Sequence, residues 1–219
     1  MESTIDSKTK LIYITNPNNP TATITNSKKL YDFCDRVSKK IPVFIDEAYL
    51  EISEGGLKNS MVGLVSKGRD VIITRTFSKI HGMAGLRLGY MVATEERLKK
   101  INQITRGGMG IAGPTIHAAM ESLNDNYFLE TSKQKLISNR EYTVKELKSR
   151  NFYPMPSSTN FLIFELPKST NPNLFLGKMY AEKVSVKAMN FWNKKWCRVS
   201  IGTKENMEKF LSAFDKALI

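Results

Sequence analysis

The chain has 219 residues, 41% hydrophobic and 25% charged, the composition of an ordinary globular protein with one large domain or two small ones. Against 21 Asp and Glu stand 33 Lys and Arg, a net charge of +12, but the lysines are scattered among acids without an aromatic-basic stripe, so anionic small molecules fit better than nucleic acid. No run approaches the roughly 18 apolar residues that span a bilayer, and residues 1–8 lack the apolar core of a signal peptide, so a cytoplasmic setting without a membrane partner is expected.

Residues 10–15 read as a buried strand that runs straight into Asn16-Pro17-Asn18-Asn19-Pro20-Thr21. Two prolines and three asparagines within six residues force a rigid, extended turn and aim the Asn19 side chain at the strand's carboxyl edge. A helix is expected over 27–40, with Leu30, Phe33, Cys34 and Val37 at helical spacing. The next strand, from Pro42, exits through Asp46-Glu47-Ala48-Tyr49. An aspartate there often caps the following turn; with Tyr49 three residues on, both polar tips can also reach one small volume. Gly55-Gly56 and Ser60 read as loop, followed by a short helix and a strand from Asp70.

That strand, Val71-Ile72-Ile73, is apolar and β-branched, the pattern of a strand buried on both faces. It changes to Thr76-Phe77-Ser78-Lys79, then small residues, then Arg87. Open α/β sheets place ligands beyond the carboxyl ends of their strands. A lysine there, with two hydroxyls and an arginine able to hold a phosphate, suggests a Schiff base to pyridoxal phosphate (PLP). The alternative is a surface lysine after a core strand. Another apolar strand over 88–93 and a charged helix over 94–104 follow. The glycine-rich stretch 107–114 lacks the GK[ST] of a P-loop and reads as a flexible bend before a helix over 115–123.

Pattern shifts at Asn124-Asp125-Asn126, giving two expected domains, 1–125 and 126–219. A long polar helix over 127–150 leads to short strands at 152–155, 160–166, 184–188 and 196–201, with helices near 172–183 and from Lys204. These imply a small α+β domain. Cys34 and Cys197 make no disulfide framework, and His81 and His117 lack the clustered partners of a zinc site, so no metal is expected.

Taken together, N-P-N-N-P-T at 16–21, D-E-A-Y at 46–49, F-S-K…A-G-L-R over 77–87 and R-V-S-I-G-T at 198–203 resemble the fold-type I PLP-dependent aminotransferases, nearest to the histidinol-phosphate aminotransferase branch. The resemblance implies an α/β three-layer large domain with a mostly parallel sheet, plus a small C-terminal α+β domain. It implies Lys79 as the covalent anchor and proton shuttle, and Asp46 as partner of the pyridine nitrogen. Tyr49 and Asn19 would bond the ring's 3′ oxygen; Thr76, Ser78 and Arg87 would hold the phosphate. Arg198 would grip the substrate α-carboxylate, though an edge-strand charge is its plainer reading. Asn160 matches a substrate-side asparagine and is equally well a structural one. Ala22 stands where the family usually has glycine, and His81 matches no family feature. The implied activity is transfer of an amino group between an L-amino acid, with histidinol phosphate or an aromatic amino acid as the candidates, and a 2-oxo acid, by a homodimer when full length.

Two other readings stay open: a PLP decarboxylase on the same motifs, and a non-catalytic module that has kept the fold. Family members carry roughly a hundred or more further residues before the first strand, a length in keeping with two domains. The resemblance therefore implies a fragment, poorly soluble or self-associating and nearly inactive alone. The faces of residues 11–14 and 71–73 are expected to be partly uncovered.

Overall fold

The computed structural model describes residues 2–105 and 110–218, which form two compact units. The first comprises residues up to Asn18 and Ile24–Asn126; the second comprises Asn19–Thr23 and the chain from Tyr127. The segment Asn19–Thr23 thus packs with the second unit although it lies far from it in sequence.

In the first unit the strands β1 (Ile12–Thr15), β2 (Val43–Asp46), β3 (Val71–Thr76) and β4 (Gly89–Val92) form a sheet in that order. The first three are parallel and β4 is antiparallel to β3. Register places Thr15, Asp46, Thr74 and Met91 in one row, so the chemistry-bearing residues share the carboxyl edge of the parallel strands. Alternation sends Ile12, Ile14, Val43, Ile45, Val71 and Ile73 to one face. They pack there with Leu30 and Cys34 of α1 (Ser27–Val37) and Leu64 of α2 (Val62–Ser66). Asn26 starts α1 by accepting from the Lys29 amide at 3.1 Å. Two further helices follow, α3 (Glu95–Asn102) and α4 (Gly113–Asn124).

Val71 and Ile73 are fully buried and Ile72 is 6% exposed, which corrects the expectation of an uncovered face at that strand. Leu30 and Cys34 of α1 and Leu64 of α2 cover the face that carries Val71 and Ile73. At β1 the expectation holds for the other face alone: Leu11 and Tyr13 are exposed, whereas Ile12 and Ile14 are buried.

The second unit holds α5 (Asn126–Ser149), β5 (Phe161–Glu165), α6 (Pro172–Ala181), β6 (Lys187–Phe191), β7 (Lys194–Ser200) and α7 (Lys204–Leu218). Its antiparallel sheet has the order β5-β7-β6. Phe164, Phe175, Phe210 and Phe214 build the core with Leu147 of α5.

No strand forms at 152–155. Pro154 and Pro156 lack the N–H a ladder needs, and the segment pairs through a single described bond, Met155 N–H to the Ile163 carbonyl at 2.9 Å. The strand expected at 184–188 lies at Lys187–Phe191. Trp192 and Asn193, both at positive φ, close a tight hairpin with β7 and set its register. Of the glycine-rich stretch, 107–109 lies outside the described residues; α4 begins at Gly113 with Pro114 in its first turn.

Candidate active site

In the first unit, Asp46, Thr76, Ser78, Lys79 and Arg87 line one open cavity of about 710 Å³ at the carboxyl edge of the sheet. Asp46 ends β2 and is held by two donors: the Ala48 amide to Oδ1 at 3.0 Å and, more weakly, the Tyr13 hydroxyl to Oδ2 at 3.4 Å. Lys79 follows β3 by three residues, and its Nζ lies 5.1 Å from the centre of the Tyr49 ring. The Ser78 amide donates to Thr76 Oγ1 at 3.0 Å, a side-chain turn that bends the chain just before Lys79. Arg87 is exposed, sits at φ +53°, and donates from Nη1 to the Ala84 carbonyl at 2.7 Å. An amine, a carboxylate and a cluster of hydroxyl and guanidinium donors therefore face one volume.

A buried ion pair underlies that edge. The Glu47 side chain is 2% exposed and Arg75 10%. Arg75 donates to Glu47 Oε2 from Nε at 3.0 Å and from Nη2 at 2.9 Å, to Ser60 Oγ at 2.7 Å, and to the Tyr90 hydroxyl at 3.3 Å. The Met61 amide and Ser60 hydroxyl donate to the same carboxylate at 2.9 and 2.8 Å. Burial works to lower the Arg75 pKa, but its bond to Tyr90 and the Glu47 charge outweigh that and hold it above its ordinary value. The network joins β2, β3 and β4 next to Asp46 and Thr76. Its signal in the sequence is an arginine inside an apolar strand, where an unpaired charge is too expensive to bury.

In the second unit, Arg198 Nη1 donates to Asn19 Oδ1 at 2.8 Å, and its guanidinium stacks on Phe161, 4.7 Å from the ring centre. Asn160, next to Phe161, accepts from the Ile201 amide through its backbone carbonyl at 2.8 Å. Asn19 and Arg198 are thus in contact although 179 residues separate them, and Asn160 is held by backbone pairing to the chain just after Arg198's strand. Ala22 is fully buried at φ +63°, so the backbone keeps the left-handed conformation natural to glycine with an alanine in place.

His81 is not a bare histidine. Its ring is buried between Ser122 and Glu51, contacts that one sequence cannot pair. Burial pushes the Cys34 thiol up to about 12 and raises Cys197 as well, which removes both from nucleophilic chemistry.

A cavity at the carboxyl edge of parallel strands, lined by a lysine, an aspartate, hydroxyls and an arginine, lies where open α/β folds place their ligands. Residues 1–214 match the family described as aminotransferase class I and II, and the chain belongs to that family. It is 32% identical over 216 residues to histidinol-phosphate aminotransferase 2 of Methylococcus capsulatus, covering 98% of this chain and 57% of that protein. Among solved structures, the histidinol-phosphate aminotransferase of Clostridium acetobutylicum superposes with a TM-score of 0.84 at 25% identity, over 94% of this chain and 63% of that one. The Sinorhizobium meliloti enzyme, solved in complex with pyridoxal-5′-phosphate, shares the fold at 22% identity and TM-score 0.83, over 95% and 57% of the two chains. The chain spans somewhat over half the length of the curated relative it matches.

Proposed function

We propose that this chain carries the PLP-binding lysine and the substrate-reading arginine of an aminotransferase that moves an amino group between an L-amino acid, or histidinol phosphate, and a 2-oxo acid. The observation that supports it is the convergence of Lys79, Asp46, Thr76, Ser78 and Arg87 on one cavity, with Tyr49 beside the lysine. At about 710 Å³ the cavity is within the size range of cofactor pockets. Its donor set also fits the group: an amine for an aldehyde, a carboxylate for a ring nitrogen, hydroxyls and a guanidinium for a phosphate.

When bound, PLP supplies an electron sink that stabilises the carbanion of an amino acid. The protein's part is positional and protonic. Asp46 accepts the hydrogen bond of a protonated ring nitrogen. Lys79 anchors the cofactor and, once released, carries the proton to and from the substrate α-carbon. Arg87 offers a planar fork of donors to phosphate oxygens, with Thr76 and Ser78 adding hydroxyls. In the second unit, the Arg198–Asn19 pair is the carboxylate-reading element of the proposal. Asn160 is assigned to the substrate side and Asn19 and Tyr49 to the ring's 3′ oxygen.

A homodimer of the full-length protein, in the cytoplasm, completes the reading. The dimer is supported by the exposed apolar ridge Ile116, Met120 and Leu123 on α4, which asks for another protein surface. Among the described residues, no helix is long and apolar enough to cross a membrane.

The test is borohydride reduction of the protein in the presence of PLP, followed by peptide mapping. The expected result is label on Lys79; label on other lysines with none on Lys79 overturns the assignment. Product analysis then separates transamination, which yields a 2-oxo acid, from decarboxylation, which releases carbon dioxide.

A further inference from the structure

The turn that carries Lys79 leaves β3 and reverses at once. The Gly82 amide donates to the Lys79 carbonyl at 3.0 Å, the Met83 amide to the Phe77 carbonyl at 2.9 Å, and Gly82 takes φ +70°. Lys79 lines the cavity, whereas His81, two residues on, is buried. The histidine side chain is 1% exposed and its ring lies 4.8 Å from that of Phe77.

Both ring nitrogens have partners. Nδ1 is 2.8 Å from Ser122 Oγ on α4, and Nε2 is 3.4 Å from Glu51 Oε1. An ionised carboxylate only accepts, so opposite one Nε2 carries its hydrogen toward Glu51, while the Ser122 hydroxyl, able to donate or accept, pairs with Nδ1. Both ring nitrogens of the buried histidine are thereby partnered, as a buried polar group requires.

Glu51 lies two residues beyond Tyr49, as His81 lies two residues beyond Lys79. The same two segments therefore meet twice: once at the cavity, where Lys79 Nζ approaches the Tyr49 ring, and once below it, where His81 reaches Glu51. A leucine or phenylalanine at position 81 would fill the space but would leave Glu51 and Ser122 without their directional partner. Hydrogen bonds fix the rotation of the turn, which apolar contact alone leaves free.

We propose that His81 is a positioning residue, pinning the Lys79 turn to the Tyr49 segment and to α4 through Glu51 and Ser122 so that the lysine is presented to its cofactor in one orientation. Proposing a cofactor for Lys79 rests on the function proposed above; the pinning itself does not. The role belongs to an outer layer of support, in which groups that never touch the ligand hold those that do.

The test compares His81→Phe, Glu51→Leu and Glu51→Gln with the parent chain. Glutamine keeps an oxygen acceptor for the Nε2 hydrogen and serves as the conservative rescue. The first readout is amide hydrogen exchange in the cofactor-free protein. His81→Phe and Glu51→Leu are expected to speed exchange across residues 77–83 by about tenfold or more while leaving Val71–Ile73 unchanged, with Glu51→Gln close to the parent. Unchanged exchange at 77–83 in both variants overturns the proposal, as does equal behaviour of Glu51→Leu and Glu51→Gln. Faster exchange throughout the sheet also overturns it, because that marks a merely structural residue. If His81→Phe does not fold, the Glu51 pair decides the matter alone.

The second readout is a PLP titration followed by absorbance, where the two disruptive variants are expected to bind about tenfold more weakly than the parent. Parent-like PLP affinity in both, with Lys79 labelled, overturns the positioning role. A parent chain that gives no Lys79 adduct overturns the cofactor reading instead, and the exchange result still decides the role of His81.

Discussion

At the scale of single residues, Arg75 and Glu47 form a buried ion pair at the candidate site, whose cavity Arg75 lines and Glu47 underlies. Each holds the other's charge in a volume where neither is stable alone. Arg75→Met is expected to cost about 3–5 kcal/mol, the scale for leaving one member of a buried pair uncompensated. Adding Glu47→Gln should recover part of that loss, because no bare charge then remains; urea unfolding of the single and double variants checks it. Arg198 acts at the same scale by geometry. Lysine keeps the charge but not the planar fork or its stacking on Phe161. On the proposed function, Arg198→Lys lowers kcat/KM by the equivalent of about 1.5–3 kcal/mol, the range for hydrogen bonds to charged groups. Steady-state kinetics with amino acids and with the matching amines lacking a carboxylate is the measurement, and the amines should be insensitive to the change.

At the scale of elements, the close approach of β4 to β3 brings the strand after Arg87 back to Thr76. Gly89 pairs with Thr76, and a Cβ built there would lie 2.6 Å from the Arg75 carbonyl oxygen. Backbone cannot yield as a flexible side chain can. Gly89→Ala is therefore expected to destabilise the first unit by about 1–3 kcal/mol, the usual cost of overpacking. It should also disturb the turn bearing Ser78 and Lys79, which amide chemical shifts over 76–79 would report. In the second unit the hairpin Trp192-Asn193 and the two prolines at 154 and 156 decide where strands can run. Register then positions Arg198 within that unit: pairing with Ile163 and Lys187 places it opposite both in the middle of its sheet.

At the scale of the molecule, each unit has its own core. The second depends on one residue above the others: fully buried Phe214, whose ring meets those of Phe152, Phe164, Phe175 and Phe210 within 6 Å. Phe214→Ala is expected to cost about 3–5 kcal/mol, the scale for removing a buried aromatic ring. The loss should fall on the second unit, so hydrogen exchange should rise in β5 and β7 while Val43–Asp46 stays protected.

The sequence alone was enough to locate the strands that bear the chemistry, because a buried parallel strand writes itself as an unbroken β-branched run and its polar exit follows within three residues. It also supplied the motif order that places the chain among class I and II aminotransferases. It did not reveal the Glu47–Arg75 network or the contacts of His81, nor that Asn19 packs beside Arg198. Each of these joins residues far apart in the chain, and a linear pattern records a residue's own burial preference but not its partner. It misplaced two strands in the second unit, where proline blocked one ladder and hairpin geometry shifted the other. Local propensity decides which segments can be strands; only the folded chain decides which amides find partners and which buried charges meet.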